Sequence, residues 1–437
     1  MRTRLLILMM ALSPICAFAS PSDHWSLQER NAAIQTIRTS FQELYVFPEM
    51  RPKIVDRLNQ SQQSGRYDVE DPVVFADRVT EDLRSVSHDR HLSLRVDPAA
   101  YAAALAPPAS EAGEDAFMRR RAIRDHHGLG DMKILPGNIR YLKITGFEWI
   151  DDETGTAYDE AMRFLKDGDA VVIDLRNNGG GSHAAVRYLV SHFMDGDTLE
   201  LTFHQGSEIP AQSRILEHLP AGRLKGKLLY VLINGQTASA AEAFTYDVQQ
   251  FKLGELVGAK TSGAANNNKL LPVAPQFILS VSYGRPVHAV SNSNWEGVGI
   301  APDVETPPAQ ALDIAQMRAL TRLAQNSKAS PEQLGEYAWA KIGVEAKLHP
   351  AALSSSALAM LTGRYVKAEA KQDTIELTLR DGALWMVRPK RPDARLTPLT
   401  AELFAVEGYE ILRIRLTGKT LEVLWSDEAA PRVFLRE

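Results

Sequence analysis

The sequence predicts an α/β core between an N-terminal helical region and a C-terminal antiparallel β domain, and three patterns carry that prediction. Between residues 138 and 303, short apolar runs of strand length alternate with helical stretches. Between residues 24 and about 92, apolar residues recur at helical spacing, as in Ala33, Ile34 and Ile37. Beyond Leu361, strand-like runs follow one another across tight turns such as Asp381-Gly382 and Gly418-Lys419.

At 437 residues the chain exceeds what one core usually supports, so several domains are expected. Residues 1–19 read as a signal peptide, with basic Arg2 and Arg4, an apolar run over 5–12 and Ala17-Phe18-Ala19 as the cleavage site. Export to a bacterial periplasm or beyond follows from that reading. Losing Arg2 and Arg4 would move the formal charge from -5 to -7, which argues against a nucleic-acid partner. The only cysteine, Cys16, falls inside this segment, so no disulfides are expected, and Ser13-Pro14-Ile15-Cys16 is a poor lipid-attachment site. No later apolar run is long enough to span a bilayer.

Residues 20–97 are expected to form a helical domain punctuated by Pro48 and Pro52, and residues 98–135 a linker or helical excursion. Arg119, Arg120, Arg121 and Arg124 suit a solvated face balanced by Glu111, Glu114 and Asp115 better than an anionic partner. Residues 136–310 make up the α/β core, 311–354 a helical connector after Pro307-Pro308, and 355–437 the β domain. No chemistry is visible in the β domain. A structural role is its default, and an envelope protein partner is the other reading.

Two segments of the core carry chemistry. Residues 228–233 form an apolar strand that runs into Gln236-Thr237-Ala238-Ser239-Ala240-Ala241-Glu242, the opening of an alanine-rich helix. A serine at that corner meets unpaired amides and the positive end of the helix dipole, where a developing oxyanion would be stabilised. The same spacing of Ser239 and Glu242 also suits a helix cap. The second segment, residues 170–181, is an apolar strand ending in Gly179-Gly180-Gly181. Such a turn can bring amides to an oxyanion or a phosphate, or serve as a plain link. The phosphate reading is disfavoured because no Lys-Ser/Thr pair follows.

Together, Leu175-Arg176-Asn177-Asn178-Gly179-Gly180-Gly181 and Thr237-Ala238-Ser239-Ala240-Ala241-Glu242 resemble the S41 family of serine peptidases, over residues 24 to 310. That family includes processing proteases, tricorn core proteases and interphotoreceptor retinoid-binding protein. The resemblance implies a ClpP/crotonase-like core and Ser239 as nucleophile. The lysine base of the processing proteases falls at Ala264 in Thr261-Ser262-Gly263-Ala264-Ala265, and a methyl group cannot accept a proton. Lys260 lies four residues early and reads as solvated. The tricorn-like branch uses serine, histidine and glutamate instead. By resemblance, Glu296 in Asn294-Trp295-Glu296-Gly297-Val298-Gly299-Ile300-Ala301-Pro302-Asp303 is the orienting acid, and His91 in Ser87-His88-Asp89-Arg90-His91 is the base.

The amides of Ala240 and Gly180, with Gly179 or Gly181 as the lesser alternatives, would then form the oxyanion hole. No cofactor is implied. No metal is expected either, since His88 and His91 lack a Glu or Cys at ligand spacing. The stretch over 98–135 is too short for the tail-binding PDZ module of processing proteases, so the resemblance leaves tail-specific and internal cleavage both open. The expected function is a secreted or periplasmic serine endopeptidase acting on peptide or protein substrates through an acyl-enzyme. The alternatives are a non-catalytic binder of lipophilic ligands, as in interphotoreceptor retinoid-binding protein, and an envelope scaffold.

Overall fold

The computed structural model describes residues 25–106, 111–205, 208–428 and 430–437. The expected signal peptide lies outside the described residues. The chain divides into two units, one made of residues up to 106 with 268–283, the other of 107–267 with 284–437.

The first unit contains helices α1 (Leu27–Leu44), α2 (Arg51–Gln63) and α3 (Pro72–Ser87), then strand β1 (Ser93–Val96) and helix α4 (Pro98–Leu105). A capping box starts α1: the Glu29 amide donates to Ser26 Oγ at 3.2 Å, and the Ser26 amide donates to the Glu29 carboxylate at 2.9 Å. Helix α3 starts at Pro72 behind an Asp71 cap and ends where His88 turns left-handed at φ 57°. Its core is not purely helical. Phe41, Phe75, Val79 and Leu83 pack with Val273, Phe277, Leu279 and Val281, which come from far along the chain. Each such side chain, once fully buried, contributes about 1.5–3 kcal/mol.

The second unit begins with helix α5 (Glu111–Arg124), strands β2 (Leu129–Leu135) and β3 (Ile139–Ile144), helix α6 (Asp151–Lys166) and strand β4 (Ala170–Asp174). Next come α7 (His183–Ser191), β5 (Leu199–Gln205), β6 (Ala211–Arg214), β7 (Leu228–Ile233), α8 (Ala240–Gln250) and β8 (Glu255–Gly258). Strand β9 (Asn267–Val273), from Asn268 onward, and the first half of β10 (Phe277–His288) belong to the first unit, where Phe277 to Ser280 pair antiparallel with β1. The second half of β10 pairs antiparallel with β5 in the second unit.

Strands β3, β4, β7 and β8 and the short β11 (Val304–Glu305) are parallel neighbours, and β2 adds an antiparallel edge. Side chains alternate between two cores, as pleating requires. Val171, Ile173, Val231 and Ile233 face α6, α7 and α8. Val172, Tyr230 and Leu232 face the other way, against α9 (Ala311–Ala324) and α10 (Pro331–Leu348).

After α11 (Ser355–Met360) the chain forms eight strands: β12 (Gly363–Lys367), β13 (Ala370–Arg380), β14 (Ala383–Val387), β15 (Ala394–Pro398), β16 (Leu403–Val406), β17 (Tyr409–Thr417), β18 (Thr420–Trp425) and β19 (Arg432–Arg436). Each pairs with the next, and β12 closes on β19, giving a closed barrel with its own core. The expected Asp381-Gly382 hairpin is present, with both residues at positive φ (47° and 75°). Among the described residues, no helix is long and apolar enough to cross a membrane.

Candidate active site

The two motifs meet because β4 and β7 are parallel neighbours, with Asp174 opposite Leu232, so both strands release their chains at the same sheet edge. Beyond the strands, side chains lace the two loops together. Thr237 Oγ1 donates to the Leu175 carbonyl at 2.9 Å, Asn234 Nδ2 donates to Asn177 Oδ1 at 2.8 Å, and the Ala238 amide donates to the Asn178 carbonyl at 3.0 Å. Asn178 is fully buried and anchored through Nδ2 to the Ile144 carbonyl at 3.0 Å.

Ser239 sits half-buried immediately before α8, at φ 53° and ψ -122°. Glycine adopts that conformation freely and an L-residue does not, so the corner is strained. The glycine turn lies directly against it. A Cβ on Gly180, which has φ 107°, would fall 2.7 Å from Ser239 Cβ and 2.9 Å from both the Ala238 oxygen and the Ala240 nitrogen. Only a glycine permits that approach. The Ala240 amide opens the helix and has no acceptor within it. The Gly180 amide donates to Asn178 Oδ1 at 2.9 Å.

Glu242 does more than cap α8. Its carboxylate is fully buried and accepts from the Ser239 amide (3.0 Å), the Ala264 amide (2.8 Å), the Gly263 amide (2.6 Å) and Thr261 Oγ1 (2.6 Å). Burial raises its pKa, and these four donors oppose that rise. Ala264, at the family's lysine position, thus contributes its backbone to the elbow. Glu242→Gln turns an acceptor into a donor facing amides, and is expected to lower stability by about 2–4 kcal/mol, read by denaturant unfolding.

The same loop holds Glu296. Its Oε2 accepts from the Ala265 amide at 2.7 Å and the Asn266 amide at 2.8 Å, and the Glu296 amide donates to Asn294 Oδ1 at 3.1 Å. The Gly297 amide donates to the Gly263 carbonyl at 2.9 Å, and the Ile300 amide donates to Thr261 Oγ1 at 2.7 Å. A continuous bonded path therefore runs from Ser239 through Glu242 and residues 261–266 to Glu296.

Ser239, Ala240, Gly180 and Glu296 share one unit, whereas His91 belongs to the other. His91 follows the left-handed end of α3, in a turn pinned by Arg84, whose Nε donates to the Leu92 carbonyl at 2.8 Å. Its amide donates to Asp89 Oδ1 at 2.9 Å, and its Nδ1 lies 3.8 Å from that oxygen. Asp89 is only 1% exposed. An acid two residues before the histidine thus shares its turn and accepts from its amide.

Residues 138–306 match the model of peptidase family S41, and residues 27–121 match the model described as the N-terminal domain of Peptidase_S41 in eukaryotic IRBP. A "Probable CtpA-like serine protease" from Staphylococcus aureus (strain N315) is 26% identical over 189 residues, which cover 41% of this chain and 36% of the relative. The chain thus spans little more than a third of the length of that relative. Among solved structures, the photosystem II D1 C-terminal processing protease aligns at 15% identity and TM-score 0.44, covering 71% of this chain and 100% of that one. Mature CPAF aligns at 13% identity and TM-score 0.46, covering 69% and 99%. The two family models together take in more than half of the residues, in family order, and the chain belongs to peptidase family S41.

Proposed function

We propose that this chain is an exported serine endopeptidase that cleaves peptide bonds through an acyl-enzyme on Ser239. The observation that carries the reading is the strained Ser239 corner with Gly180 packed against it. A serine at positive φ costs stability, and such strain is kept where chemistry uses it.

In this reading His91 accepts the Ser239 proton during attack on the scissile carbonyl and returns it to the leaving amine. Glu296 orients the imidazole and stabilises the imidazolium, with its Oε2 held by the Ala265 and Asn266 amides. The tetrahedral oxyanion takes hydrogen bonds from the Ala240 amide and a glycine-turn amide, each donor worth about 3–4 kcal/mol of barrier. The Gly180 amide can serve only by sharing or exchanging its bond to Asn178 Oδ1.

Fluorophosphonate labelling of the purified protein, located by mass spectrometry, tests the assignment. Labelling confined to Ser239 and lost in Ser239→Ala supports it. An unlabelled, folded protein would instead favour a binder of lipophilic ligands. Glu296→Gln is expected to slow turnover by up to about 10⁴-fold, since an amide cannot stabilise an imidazolium. A kcat equal to wild type would remove Glu296 from the mechanism.

A further inference from the structure

The core of the second unit holds a chain of polar side chains that the proposed mechanism does not use. It contains Glu200 on β5, Asp247 on α8, His288 at the end of β10, Ser213 on β6 and His183 at the first position of α7. Glu200, Asp247 and His288 are each 0% exposed. The Asp247 and Glu200 side chains lie within reach of a shared hydrogen bond. Among the described residues, no third group donates a hydrogen bond to either Asp247 oxygen or to Glu200 Oε1, although His288 Nε2 stands 3.3 Å from Asp247 Oδ1.

Two fully buried carboxylates within hydrogen-bond reach of each other do not both stay ionised, so a proton lies between them. Donor accounting says which one carries it. Ser213 Oγ lies 2.6 Å from Glu200 Oε2 and donates its single proton there. The His183 Nε2 contact at 3.0 Å must then donate to Ser213 Oγ, and the same nitrogen is 3.4 Å from Glu200 Oε2. The Val290 amide donates to His288 Nδ1 at 3.1 Å, which leaves the ring proton on Nε2, toward Asp247. The Ser213 and His183 contacts therefore mark Glu200 as the anion and Asp247 as the acid, with the His288 N–H facing the Asp247 carbonyl oxygen Oδ1.

Electrostatics agree. Burial, and then the adjacent Glu200 charge, raise the Asp247 pKa well above the carboxylate range. Burial also pushes Glu200 up, but His183, Ser213 and Asp247 outweigh it and hold Glu200 below its ordinary value. Burial lowers His288 to about 4, so its ring is neutral. The aromatic rings of Tyr246 and Phe251 face His288 on α8's side.

The cluster is tied to both halves of the elbow. Asp247 stands on the helix that Ser239 begins, and His183 begins the helix that follows Gly181 and the Ser182 cap. We propose that Asp247 and Glu200 are positioning residues that share one proton, and that this proton keeps the Ser239 helix seated against β5 with the glycine turn in register. The inference rests on Ser239 being the reactive serine. Loss of the proton leaves two like charges in contact, so the serine loses reactivity on the alkaline side. The sign follows from linkage: the folded state holds the proton through a pH range where an unfolded aspartate has lost it, so stability also declines as pH rises through the folded value.

The test is the rate of fluorophosphonate labelling against pH for the wild type, Asp247→Asn and Asp247→Ala, with infrared spectra of each at neutral pH. An asparagine supplies an N–H to Glu200 and cannot ionise, so it should keep the neutral-pH rate within about threefold. The wild type should fall by about tenfold per pH unit on its alkaline limb, while Asp247→Asn stays flat. Asp247→Ala, which leaves Glu200 Oε1 without a donor, should lose about tenfold or more at neutral pH. The spectra should show a protonated-carboxyl C=O band in the wild type that Asp247→Asn lacks. No such band, or an alkaline limb shared by wild type and Asp247→Asn, overturns the proposal. A wild type that shows the band but never labels keeps the shared proton, overturns its positioning role and marks the peptidase reading itself as the failure.

Discussion

Ser239→Ala is expected to lower peptide hydrolysis by at least about 10⁴-fold, because the imidazole then has no nucleophile to activate. Its melting temperature should stay close to that of the wild type, since alanine carries the same backbone strain at φ 53°. Ser239→Gly separates chemistry from strain. Glycine adopts this corner without penalty, so the variant should be equally inactive yet more stable by about 1–3 kcal/mol. Thermal unfolding of the two variants side by side checks both statements. An active Ser239→Ala enzyme would sink the catalytic assignment, and a Ser239→Gly protein less stable than Ser239→Ala would show that the corner is not strained. The strain persists because neighbours hold both sides of the peptide: the Ser239 amide donates to Glu242, and the Ser239 carbonyl accepts from the Glu242 amide at 2.8 Å and the Ala243 amide at 3.0 Å.

Gly180→Ala is the second large effect expected. The added methyl would meet Ser239 Cβ, the Ala238 oxygen and the Ala240 nitrogen, all inside 3.0 Å, at a φ of 107° that L-residues avoid. Backbone atoms cannot rotate away as the end of a side chain can, so the turn must retreat from the serine. Labelling of Ser239 should slow by about 10²–10³-fold as an oxyanion donor is displaced. Stability should fall by about 2–4 kcal/mol. Gly179→Ala is the internal control. No atom outside its immediate chain neighbours lies within 4 Å of that Cβ position, and the change in stability should stay within about 0.5 kcal/mol. Equal losses in the two variants would mean that general flexibility of the turn, and not the Gly180 contact, matters.

The fold class was legible because its signals are local. Apolar runs over residues 170–174 and 228–233 have the length and continuity of strands buried on both faces, and the two cores on either side of the sheet bear this out. The Asp381-Gly382 turn likewise announced its hairpin, because few other pairs accept two positive φ angles. Closure of the barrel was not legible. It depends on β12 reaching β19, with Tyr365 opposite Arg436, and no short stretch encodes strand number or stagger. Nor could the helical region alone reveal that Phe277 and Leu279 complete its core, since that pairing joins β1 to a strand far along the chain.

For the candidate site, sequence by itself determined a serine at a strand-to-helix corner and a glycine triplet after a strand, and resemblance added His91 and Glu296 as proposed partners. Tertiary structure alone decided what those parts touch. Parallel pairing of β4 with β7 puts Gly180 against Ser239. Burial turns Glu242 from a helix cap into the acceptor that binds the corner to residues 261–264. The same holds for Glu200 and Asp247, whose acids look like ordinary surface charges until strand and helix close over them. The reason is physical: backbone propensity acts over a few residues and is written in them, whereas contact, burial and shared protons are properties of segments that only folding brings together.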